Sequence, residues 1–218
     1  MAAARAGGAV AAVLARAVRA AGRERPLHPV GTRLVGTVTW TADGAALGLG
    51  RAGATEPVEA RRSRAAGLPA PLPDVVGLAL RWGPPGAPRD VLLASAGTGP
   101  VARFLLAPRR PGGEGTLSTL MPFRSRLGPL VLLVVPGRGY APAQRERLLL
   151  GAIGAGPPGV LARLVLEDTG EETDRRFDPV RHRPPSLPTY AWAAALRRAP
   201  YAAARGEGRD EGRDGHGA

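Results

Sequence analysis

VEARRSRAAGLPAPLPDVVGLALRWGPPGAPRDVLLASAGT, residues 58–98, reads as strand, turn, strand, turn, strand. Asp74 and Asp90 stand at the turns, and Arg61, Ser63 and Arg81 interrupt the apolar runs. Gly and Pro punctuate segments rich in Val, Leu and Ala that are too short for helices and are bounded as strands are. Outward toward the N-terminus, Thr32 to Trp40 is rich in Val, Thr and Trp, and predicts a strand ended by a turn at Asp43-Gly44. Strands are predicted over 57–63, 75–82, 90–95 and 101–107, and apolar runs at 129–135, 147–153 and 160–167 repeat the pattern. Many short strands, with helices only near the termini, predict a mainly β fold, an antiparallel barrel or sandwich. A doubly wound α/β sheet is excluded, because no helix-length segments separate the strands.

The flanks read differently. Residues 1–23 form an amphipathic helix in which Val10, Val13, Leu14, Ala17 and Ala21 recur at helical spacing while Arg5, Arg16 and Arg19 mostly fall elsewhere. Arg16 and Arg19 break the apolar run, so it is neither a secretory signal nor a span of ~20 residues. Its mostly Ala face would hold a membrane surface only weakly. Residues 24–205 make the barrel domain. From Glu171 the pattern dissolves into the Pro-rich FDPVRHRPPSLPTY, a wrap across a surface, followed by a short helix from Ala191 to Arg205 interrupted at Pro200. Residues 206–218, with alternating charges and no apolar side chain larger than Ala, are expected to be disordered.

The 218 residues suffice for one domain with a substantial core. All 30 basic residues are Arg, and Lys, Asn and Cys are absent. Without Cys there is no disulfide, thiolate metal site or thiol nucleophile, which fits a cytoplasmic protein. The net charge of +12 favours anionic partners, nucleic acid among them, although no basic cluster is interleaved with aromatics. His28, His182 and His216 are the only histidines and show no paired-ligand spacing. A metal site is therefore not expected, and there is no GxSxG elbow, Walker loop or GxGxxG after a strand. His182 and His216 are expected to be exposed and inert. His28, just before the first strand, is placed to reach a barrel mouth. Period-two alternation puts Arg61 and Ser63 on one face and Arg62 and Arg64 on the other. Whichever face turns inward needs a partner for its Arg, from Glu59, Asp74 or Asp90, or from a bound phosphate or propionate.

Several of these segments resemble the catalase superfamily of haem-containing antiparallel barrels. Glu24-Arg25-Pro26-Leu27-His28 is similar to the family's ERVVHxxG, and residues 60–67 are similar to VRFSTVxG. Residues 73–82 are similar to RDPRGFAVKF, and residues 89–95 to WDLVGNNTPVFF. Phe177-Asp178-Pro179 and residues 196–201 resemble the FDxT and LNRNPxNYF segments, so the likeness runs over 24–204 with a weak stretch at 108–170. The resemblance implies that His28 is the acid-base residue and that Arg25 and Arg61 meet haem propionates, with Ser63 beside them. It also exposes departures. Ala94 falls where the family carries its distal Asn, and the chain ends before the usual RxxxY ligand helix, although Arg197 and Tyr201 have that spacing.

The expectation is a catalase-like barrel that has lost the full haem site. It would keep a mouth with Arg25, His28, Arg61 and Ser63, bind a small anionic or apolar ligand or serve as a structural or interaction module, and need no cofactor. One alternative is a haem-binding peroxidase-type oxidoreductase with Tyr201 as ligand. Another is a phosphodiesterase-type hydrolase in which Arg61, Arg62 and His28 grip the ester.

Overall fold

The computed structural model describes residues 31–65, 71–97, 102, 105–110, 115–126, 128–137, 145–154 and 159–194. The expected N-terminal helix, Arg25, His28, Tyr201 and the C-terminal tail lie outside these residues. Strands β1 (Gly31–Trp40), β2 (Thr55–Arg64), β3 (Val76–Trp82) and β4 (Arg89–Ser95) follow one another as an antiparallel meander. β5 (Leu117–Ser118) joins β4 to β7 (Gly128–Pro136), with β6 (Phe123–Ser125) paired further along β7. β8 (Arg145–Ile153) and β9 (Gly159–Thr173) complete the circuit, and β9 pairs back onto β1. The result is a closed eight-stranded antiparallel barrel, with β5 and β6 lying along one edge of β7. Closure removes the free sheet edges that would otherwise recruit other chains.

The fold class and most strand positions follow from the alternation of apolar and polar residues. Two expectations are corrected. The turn at Asp43-Gly44 is a short helix, α1 (Ala42–Ala46), because Thr41 supplies an N-cap: its Oγ1 accepts from the Gly44 N–H at 3.2 Å. Over 101–107, among the described residues, only isolated pairing remains, at Ala96 and Leu106. β4 instead reaches β7 through β5 alone, with β6 paired, among the strands, only to β7. Leu120, at φ +57°, and Pro122 separate β5 from β6, which is why 115–125 carries no readable alternation.

Inward side chains fill the lumen rather than line a channel. Leu34, Val38, Val58, Ala60, Leu78, Leu80, Leu132, Val134, Leu164 and Leu166 belong to one buried cluster. Burying each larger aliphatic stabilises the fold by about 1.5–3 kcal/mol relative to exposure. One end is sealed. Trp40 and Trp82 meet with ring centroids 5.4 Å apart, and Trp82 Nε1 donates to the Leu49 carbonyl at 3.0 Å beneath a fully buried Leu49 side chain. Trp40 Nε1 donates to Glu56, so neither indole N–H is left unsatisfied.

Tight coiling of β1 against β9 depends on Gly36. A Cβ there would stand 1.9 Å from the Val165 carbonyl oxygen. Gly36→Ala is expected to cost roughly 1–3 kcal/mol in urea unfolding. At Gly86, nothing lies within 4 Å of an added Cβ, and Gly86→Ala should gain about 0.4–1 kcal/mol. Equal midpoints for the two variants would show that the close approach at Gly36 does not constrain the barrel.

Candidate functional site at the barrel mouth

The end opposite the tryptophans is polar. Ala60 of β2 points into the core, so with period-two alternation Arg62 and Arg64 point inward as well, and Arg61 and Ser63 lie on the outer face. Arg61 Nε donates to the Thr173 carbonyl at 3.1 Å, and Ser63 is buried on that outer side. The two residues expected at the mouth therefore belong to the wall behind it. Because Arg61 and Arg62 face opposite ways, they cannot close on one phosphate ester.

Inward carboxylates answer the inward arginines. Glu146 shares a face with Leu148 and Leu150 of β8, and it receives Arg62 in a two-pronged pair across the mouth, Nη2 to Oε2 at 2.5 Å and Nη1 to Oε1. Both side chains remain 34% exposed, so water screens the pair. Arg64 Nε stands 3.7 Å from Oδ2 of the fully buried Asp74, and Arg64 Nη2 donates to the Leu72 carbonyl at 2.7 Å. Asp74 was among the carboxylates expected to answer an inward Arg; Glu146 was not. It was hidden because RERL alternates without saying which parity is internal. Asp168 of β9 pairs with Leu34, which also turns it inward. Its Oδ1 accepts the Gly170 N–H at 2.8 Å. Arg145, Glu146, Asp168 and Gly170 line a recess of about 460 Å³ at this end.

A second charged assembly sits on the outer wall and holds the Pro-rich wrap. Asp90, fully buried, takes Arg81 Nε at 2.6 Å and Arg81 Nη2 at 2.5 Å. Its Oδ2 also accepts the Asp178 N–H at 2.7 Å and meets His182 Nδ1 at 3.1 Å, while its own N–H donates to the His182 carbonyl at 2.6 Å. Arg81 also lies 4.9 Å from the Phe177 ring centre. His182 is thus part of the strap's attachment and not an inert surface residue. The hydrogen bonds that Arg81 donates to Asp90, set against burial, raise the Arg81 pKa above its ordinary value. On the outer face of β1, hydrogen bonds to Glu171 first and then Glu59 likewise raise that of the half-buried Arg33.

Haem meets no cradle among the described residues. Arg61 is committed on the outer wall, and the inward Arg62 and Arg64 are already paired with Glu146 and Asp74. Nor do three His, Asp or Glu side chains gather as metal ligands among the described residues. No family model matches the chain, and no curated protein matches it.

Burial separates the two charged assemblies energetically. Asp90→Asn would weaken the hold on a largely buried Arg81 and should cost about 3–5 kcal/mol, whereas Glu146→Gln at the solvated mouth should cost about 0–1 kcal/mol. Urea unfolding of both variants tests this, and similar losses would refute the assignment of Asp90 as the anchor. The raised Arg81 pKa has a definite sign: its contribution is complete below arginine's ordinary range and fades only as pH climbs through the raised value. The difference in unfolding free energy between wild type and Arg81→Met should therefore stay constant from about pH 7 to about pH 11. A steady decline over that window would contradict it.

Proposed function

We propose that the chain is a catalase-like barrel without catalase chemistry, a cytoplasmic binding protein that takes a small polar molecule at the open end. One observation carries this reading: charged side chains point inward around a recess at one end, while Leu side chains pack the lumen and a tryptophan pair seals the other end. The absence of Cys supports a reducing compartment.

Charge accounting selects the ligand's chemistry. Arg62 is neutralised by Glu146, Arg64 by Asp74, and Arg145 by Glu167 at 2.8 Å. Asp168 contributes a carboxylate that no described cation neutralises. A molecule bearing an ammonium group complements that residue better than the anionic or apolar ligand expected from the sequence.

The test is amide chemical-shift mapping of the whole chain with butylammonium chloride and, separately, sodium butyrate. Butylammonium should shift Glu146, Asp168 and Gly170 saturably, and Asp168→Asn should abolish the effect. A response to butyrate alone, or to neither, would overturn the ligand assignment. Saturable one-to-one haemin binding with a Soret band would overturn the reading as a barrel without haem.

A further inference from the structure

The outer wall of β8, β9 and β1 carries charge that no described residue answers. Arg147 pairs with Val165 and Leu149 with Arg163 across β8 and β9, so Arg147 and Arg163 are diagonal neighbours on one face. Val165 and Arg163 pair onward with Thr37 and Thr39 of β1. Inward-facing Leu164 and Leu166 on the alternate positions fix this face as external. Both arginines are exposed, as is Thr37, and neither Arg147 nor Arg163 makes an ion pair or side-chain hydrogen bond. Arg33, Arg145 and Arg175 on the outer surface are paired, with Glu59 and Glu171, with Glu167 and with Glu59. Arg124 and Arg126 are exposed without an ion pair among the described residues, as Arg147 and Arg163 are, but do not flank an exposed threonine across paired strands.

Like charges placed diagonally on neighbouring strands repel each other, so this arrangement costs stability unless an anion joins them. Arginine and threonine side chains are the groups that hold phosphate oxygens. We propose that this face binds the phosphate backbone of duplex nucleic acid, without preference for base sequence. The face carries no aromatic side chain on which unpaired bases would stack, which disfavours a single strand. Its exposed apolar surface at the arginines is a single valine, Val165, too little to insert into a lipid surface. A second copy of the same face would meet it with like charge. The net charge of +12 adds long-range attraction for a polyanion.

The experiment measures binding of the full chain to a mixed-sequence DNA duplex by fluorescence anisotropy over a series of salt concentrations. It is repeated with Arg147→Ala/Arg163→Ala, and with Arg124→Ala/Arg126→Ala as a control of equal charge at exposed sites on β6 and its turn. Losing two phosphate contacts should make the slope of log K against log salt shallower by about 1.8. The control should keep the wild-type slope, and a duplex of scrambled sequence should bind equally well. Equal changes in both variants would reduce the effect to bulk charge and overturn the proposal. So would the absence of duplex binding by the wild type, a clear preference for one sequence, or binding to phosphatidylserine vesicles in place of DNA.

Discussion

Pairing of β1 with β9 is the constraint on which the rest of the molecule depends. It joins residues 31–40 to residues 162–173 and turns a meander into a closed barrel. Once the circle is closed, every strand has an inside and an outside, and alternation sorts side chains between a packed lumen and a wall. Gly36 is the local condition for it, since any side chain there would strike the β9 backbone. The two ends then differ for chemical reasons. Trp40 and Trp82 can close one end because each indole N–H finds an acceptor, whereas arginines and carboxylates at the other end must remain near water or pair.

The charges show how burial sets the worth of an interaction. Asp90 has surrendered its water and is repaid by a guanidinium, a backbone N–H and an imidazole together, which makes it the anchor for the strap. Arg62 and Glu146 have similar geometry but keep solvent contact, so their pairing orders the mouth without holding the fold together. Arg147 and Arg163 complete the series as exposed charges that no described residue answers. Burial thus concentrates in the lumen and at the strap's anchor, while the charges at the mouth and on the β8–β9–β1 face keep contact with water.

A closed barrel fixes how the strands pair and says nothing of family or activity. Chemistry needs particular atoms converging, and at the described mouth Arg62 and Arg64 are already paired with Glu146 and Asp74. Fold likeness alone does not carry an activity across.

The sequence by itself determined the β class, the positions of most strands, the Pro-rich wrap after Glu171 and the opposite facing of Arg61 and Arg62. These are local properties, written in the alternation of polar and apolar residues and in Gly and Pro punctuation. Tertiary structure alone decided that Arg62 and Arg64, not Arg61 and Ser63, look inward. It also decided that Glu146 answers Arg62 and that His182 meets Asp90. Period-two alternation yields only which residues share a face; which face is internal depends on strand register and barrel closure. Those partners lie far apart in the chain, and only the closed sheet brings them within hydrogen-bonding distance.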